Sequence, residues 1–166
     1  MDISGELYYH FPDVEAIALV FLQLTRGMLE IKIELGELDN LEIHQKDLED
    51  VAKHFQSNEN IGLECMICYA NLQTSCAMTA QSKHVFPIQL SFVEQNIDNM
   101  EVISARFPKN KEINLIYCRS LAATSSDLYN HPNREMYKKF VLLLKNLVQT
   151  RKFDVPANVM DFLKEA

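Results

Sequence analysis

The sequence predicts a single α+β domain in which a mostly antiparallel sheet of about five to seven strands packs against helices at both chain ends. Three observations lead to this fold class. The chain has 166 residues, of which 48% are hydrophobic and 23% charged, as expected for one globular domain. Several segments alternate between apolar and polar residues, as half-buried strands do. These segments follow one another instead of alternating with helices, and that order favours α+β.

The first part of the chain is expected to contain two helices separated by a hairpin. Residues 14–26 are apolar nearly all round, with Gly27 as a stop signal, and predict a buried N-terminal helix. Residues 28–35 alternate and predict a half-buried strand, which would pair with residues 41–44. Residues 46–56 have one apolar face and predict an amphipathic helix.

The middle of the chain is interpreted as strands. Residues 63–80 could form either strand or helix, and the polar loop before residue 63 favours a buried strand over 63–70. Residues 84–93 alternate in the manner of a strand. Residues 100–107 and 112–118 flank a turn sequence and predict a further hairpin.

Two helices are predicted at the C-terminal end. The first begins near Pro132, runs to about Thr150 and places its leucines and aromatic residues on one face. The second covers about residues 156–164. Its apolar residues could dock on their own domain or on a partner, and they are Val159, Met160, Phe162 and Leu163.

Charge and hydropathy limit the classes of function. The net charge is −7 and the isoelectric point is near 5.2, which argues against wholesale binding to nucleic acid or anionic lipid. No apolar run has the roughly 18–20 residues of a membrane span, and the acidic N-terminus does not resemble a signal peptide. We therefore expect an intracellular protein, cytoplasmic or nuclear, that does not bind membranes and whose cysteines are reduced.

Motifs that would indicate an enzyme or a metal centre are weak. The chain has neither a glycine-rich phosphate loop nor a Gly-x-Ser-x-Gly sequence, and we expect no cofactor. A zinc site is the alternative for Cys65, Cys68, Cys76 and His84. Since a strand would point Cys65 and Cys68 to opposite faces, small buried thiols are the favoured interpretation. An enzyme whose site is assembled from dispersed residues is a further alternative.

The distribution of charge offers the leading hypothesis for a site. Residues 1–60 carry thirteen acidic side chains against four basic ones, whereas residues 131–152 carry six basic side chains against one acidic. At about 100° per residue, four basic side chains share one stripe of the predicted helix, and they are Arg134, Lys138, Lys145 and Lys152. Lys139 lies off this stripe.

The expected function is therefore that of a non-enzymatic interaction or regulatory domain. Its basic stripe would bind an acidic protein partner or the acidic half of a second copy. Nucleic-acid binding by the same stripe is the second choice, because phosphates also attract lysine and arginine. A solvated helix face without a partner would explain the same residues.

Overall fold

The computed structural model of the protein describes residues 3–35, 41–82, 90–130 and 132–166. Over these ranges the chain forms eight α-helices. They are α1 (Ile3–His10), α2 (Glu15–Leu35), α3 (Leu41–His54), α4 (Glu59–Ser82), α5 (Leu90–Arg106), α6 (Lys111–Leu128), α7 (Arg134–Thr150) and α8 (Ala157–Glu165).

The predicted α+β fold is wrong, because none of the described residues forms a strand. The segment 28–35 illustrates the physical reason. It continues α2 through Gly27, so that Leu29 is buried whereas Ile31 and Leu35 are exposed. A strand would have put these three side chains on one face. The alternation arose because this helix carries apolar residues on both its buried and its exposed sides.

The segment 63–70 is also helical and lies inside α4. Cys65, Met66, Cys68 and Tyr69 are all buried there. A helix that is apolar on most of its circumference shows no helical period in its sequence, and it can be mistaken for a buried strand.

The described residues of the other segments predicted as strands are also helical. Residues 41–44 begin α3, residues 100–106 end α5, and residues 112–118 lie within α6. Residues 90–93 of the fourth segment belong to α5, and residues 84–89 lie outside the described residues. The hairpin turn expected near residue 108 is instead a tight link between two helices.

The helices predicted at the C-terminal end are confirmed as α7 and α8. The predicted helix over 46–56 is α3, which begins earlier, at Leu41, and ends at His54. No helix within the described residues is both long and apolar enough to cross a membrane.

Helix α4 is the central element of the bundle. It contacts α2, α3, α5 and α6, while α7 and α8 pack on α6, and α1 packs on α2. Gly62 permits the close approach of α4 to the end of α5, since a Cβ atom on Gly62 would lie 2.6 Å from Cε2 of Phe107. Asn110 starts α6 by accepting a hydrogen bond from the Ile113 amide at 2.9 Å.

A chain of buried polar side chains joins four helices through this core. Gln45 of α3 donates to Asn96 of α5 at 2.7 Å, and Asn96 donates to Gln73 of α4 at 3.0 Å. Gln73 in turn donates to the Thr124 hydroxyl of α6 at 3.3 Å. These four side chains are buried. Buried amides that are satisfied by one another fix the relative register of the helices that carry them.

Candidate partner-binding face on helix α7

Helix α7 buries one apolar side against the core and carries most of its basic residues on the other side. The Asn133 side chain caps the helix by accepting from the Met136 amide at 3.1 Å. The helix ends at Thr150, after which Arg151 adopts an extended backbone. Its buried residues are Met136, Tyr137, Phe140, Val141, Leu144 and Leu147.

The opposite side of α7 combines two lysines with an exposed leucine. Lys138 is exposed, Lys145 is half-buried, and Leu142 between them is 59% exposed. Residues spaced by three and four positions are neighbours on a helix surface. Lys138, Leu142 and Lys145 therefore form one ridge, which we call the α7 face. Lysine stems cover apolar surface while their charged ends stay in water.

The lysines of the α7 face differ from their neighbour Lys139. The Lys139 ammonium lies 2.8 Å from a Glu94 carboxylate oxygen and 3.0 Å from one of Asp98, both on α5. Partial burial lowers the pKa of Lys139, but the hydrogen bonds to these two carboxylates outweigh it and the pKa is raised. Within the described part of the chain, Lys138 and Lys145 make no ion pair, so their charges are available to a partner.

The other two residues of the predicted stripe are placed differently. Arg134 donates a hydrogen bond to the Tyr129 carbonyl, and its guanidinium lies 5.8 Å from the centre of the Tyr129 ring. Arg134 is therefore held toward the start of the helix. Lys152 is exposed but lies beyond the end of α7, so helical periodicity does not align it with Lys138 and Lys145.

The final helix docks mainly on its own domain. Val159 is buried, and Phe162 and Leu163 are half-buried against the core, whereas Met160 is 40% exposed. A shallow cavity of about 380 Å³ lies beside α8. It is lined by residues that include Tyr129, Tyr137 and Phe162. The docking-helix residues thus contribute more to the core than to a free surface.

The cysteines that were considered for zinc are not arranged as a metal site where they are described. Cys65 and Cys68 are free and fully buried. Burial raises the pKa of the Cys65 thiol well above its usual value and that of Cys68 to about 12. The Cys76 side chain and His84 lie outside the described residues. The described side chains include no group of three metal-ligating residues.

An open groove with a volume of about 420 Å³ lies between α4 and α6. Its polar lining residues include Gln73, Arg119, Thr124 and Asp127, and burial raises the pKa of Asp127. Neither histidine nor cysteine is among the described residues that line it. A catalytic pair built on histidine or cysteine is thus not found among the described residues that line this groove.

Two exposed apolar features were missed by sequence reasoning. Leu142 had a usable signal, because it lies four residues after Lys138 and three before Lys145 on the polar side of an amphipathic helix. The second feature is a stripe on α2 formed by Val20, Leu24, Ile31 and Leu35, of which the first two were assigned to the N-terminal helix and the last two to a strand. Their recurrence at intervals of four and seven residues indicates one helical face.

Comparison with known proteins finds no relative of this chain. No protein-family model matches the chain, and neither a curated protein nor a solved structure is detectably similar to it. The functional argument therefore rests on the side chains themselves.

Proposed function

We propose that this protein is a non-enzymatic interaction domain that binds an acidic protein surface through the α7 face. One observation carries the proposal. Lys138 and Lys145 have no acidic partner among the described residues, although the protein has a net charge of −7 and the adjacent Lys139 has two. An intracellular location, with reduced thiols at Cys65, Cys68 and Cys118, belongs to this proposal.

The geometry of the α7 face favours a helical partner. Lys138 and Lys145 are seven residues apart, which is about 10.5 Å along the helix axis at 1.5 Å per residue. A partner helix with two acidic residues at the same interval and an apolar residue between them would match both lysines. Leu142 would then pack against that apolar residue and exclude water from the two ion pairs. Partial desolvation strengthens such pairs over fully exposed ones.

Nucleic acid is a weaker candidate for this surface. Glu94 and Asp98 approach the basic helix on its Lys139 side, and their carboxylates would repel a phosphate backbone. The residue between the two free lysines is a leucine, whereas single-stranded nucleic acids are bound by aromatic residues that stack on the bases. An acidic helix satisfies both the charge and the apolar contact.

The proposal is tested with a labelled helical peptide that carries glutamates at positions i and i+7 with a leucine between them. Binding is followed by fluorescence anisotropy at several salt concentrations. The K138E/K145E variant should bind about five- to thirtyfold more weakly, because two attractions become repulsions worth roughly 1–2 kcal/mol together. The matched control K109E/K111E changes the same charge at two exposed residues, Lys109 in the α5–α6 link and Lys111 at the start of α6, and should bind normally.

Two results would contradict this function. An equal loss of peptide binding in both variants would show that only net charge matters. Stronger binding of a single-stranded oligonucleotide, with affinity that falls steeply with salt and is lost in K138E/K145E, would assign the α7 face to nucleic acid.

A further inference from the structure

Helix α2 exposes a row of large apolar side chains on its outer surface. Val20 and Leu24 are each 53% exposed, Ile31 is 58% exposed and Leu35 is 65% exposed. At about 100° per residue, these four residues fall within roughly 60° of one another, opposite the buried face that contains Leu22 and Leu29. We call these four residues the α2 stripe.

The spacing of the α2 stripe is symmetric. Its residues are separated by four, seven and four positions, so the pattern is the same when read in either direction along the helix. The centre of this pattern lies between Gly27 and Met28. Two antiparallel copies of α2 would therefore place Val20 opposite Leu35 and Leu24 opposite Ile31 at both ends. A surface that is complementary to itself under a two-fold rotation is what a symmetric dimer requires.

Gly27 supports a close approach at the centre of that pattern. A Cβ atom on Gly27 would meet no atom within 4 Å outside its own helix, so packing within one chain does not require glycine here. Glycine in the middle of a helix weakens it relative to alanine. Gly27 faces the same direction as the stripe, and the absence of a side chain lets a second helix backbone come near.

The charges at the edge of the stripe favour the antiparallel arrangement. Glu30 and Glu34 are exposed along one side of it. If the two helices packed parallel, Glu30 of one copy would lie at the same height along the axis as Glu30 of the other copy, and the two Glu34 side chains would be matched in the same way. The antiparallel pair shifts Glu30 about 7.5 Å and Glu34 about 20 Å along the axis from their counterparts, at 1.5 Å per residue. It also brings Gln23, which can donate a hydrogen bond, near the level of Glu30 in the other copy.

We infer that α2 is a homodimer interface, in which the α2 stripes of two copies pack antiparallel about a two-fold axis at Gly27. The contact would be about 22 Å long and about 10 Å wide. This is smaller than the roughly 800 Å² per partner of standard interfaces. The dimer should accordingly be weak and reversible, and its population should rise with protein concentration. The inference does not depend on the α7 face.

The experiment is sedimentation velocity of the whole chain over a range of protein concentrations. The wild-type protein should shift from monomer to dimer as concentration rises. L24E/I31E should remain monomeric, whereas I43E/V102E should dimerise as the wild type does. The control variant makes the same two changes at exposed residues of α3 and α5. Circular dichroism verifies that all variants retain their helices.

Disulfide crosslinking tests the orientation and does not depend on a disruptive variant. G27C should form a crosslinked dimer on mild oxidation, because its side chain would lie at the two-fold axis, and V20C/L35C should form one as well. L35C alone should crosslink no more than the wild type. A wild-type protein that stays monomeric throughout would overturn the inference. So would a dimer that persists in L24E/I31E, or one that is lost in K138E/K145E but not in L24E/I31E.

Discussion

Removing the Asn96 side chain should destabilise the bundle strongly, because Asn96 is the central link of the buried amide chain. Its Oδ1 accepts from Gln45 at 2.7 Å and its Nδ2 donates to Gln73 at 3.0 Å. Asn96→Ala leaves the side-chain carbonyl oxygen of Gln73 without its hydrogen-bond donor. Gln45 keeps its hydrogen bond to the Phe92 carbonyl at 3.1 Å. A stranded buried acceptor costs about 1–3 kcal/mol. With the lost packing, the free energy of unfolding should fall by about 2–4 kcal/mol.

Asn96→Asp separates the hydrogen bond from the volume of the side chain. Its neutral carboxyl keeps the shape of asparagine and can donate to Gln73, whereas the ionised carboxylate would face the Gln73 oxygen without a proton. Burial disfavours the charged form and raises the folded-state pKa above the ordinary value of about 3.9. An acid with a raised folded-state pKa loses stability as pH rises above its unfolded pKa. The variant should therefore be less stable, relative to wild type, at pH 7 than at pH 4.

Urea unfolding followed by circular dichroism measures both effects. The reasoning would be refuted if Asn96→Ala unfolded within about 1 kcal/mol of the wild type. It would also be refuted if Asn96→Asp differed from the wild type by the same amount at pH 4 and pH 7, because the Gln73 contact would then be insensitive to the proton.

Three further predictions concern the stability of the fold. Gly27→Ala, studied at low protein concentration, should raise the free energy of unfolding by about 0.5–1 kcal/mol, because a Cβ meets open space there. Gly62→Ala should lower it by about 1–3 kcal/mol, because its Cβ would lie 2.6 Å from Phe107; urea titrations showing the reverse order would contradict this packing. Stability should also fall as pH rises above 9.0, where unfolded thiols ionise, because burial raises the pKa of Cys68 to about 12 and that of Cys118 to about 11. An unfolding free energy that stays constant from pH 9 to pH 11 would exclude this linkage.

The elements that could be predicted from the sequence are those in which apolar and polar residues occupy separate sides. Helix α7 is of this kind, since its leucines and lysines alternate with a period near 3.6 and Asn133 supplies a cap. Helix α4 is not, because it is surrounded by other helices and has little polar surface to mark its period. Helix α2 was misinterpreted for another reason. Ile31 and Leu35 are exposed, yet together with the buried Leu29 they form an alternating apolar pattern that resembles a strand.

The candidate site was predictable to a similar degree. The interval of seven residues placed Lys138 and Lys145 on one face, as found. The alignment of Lys152 depended on helix continuing past Thr150, and the extended backbone at Arg151 ends it. The pairing of Lys139 with Glu94 and Asp98 joins residues more than forty positions apart. Only the packing of the helices brings those charges together.

The most direct test of the central claim is affinity purification with three forms of the whole chain, followed by identification of the bound proteins. The wild-type chain and K109E/K111E should retain the same acidic protein, and K138E/K145E should lose it while keeping its helical circular dichroism spectrum. If the three forms retain the same proteins in equal amounts, the α7 face is a solvated surface and the proposed function is wrong.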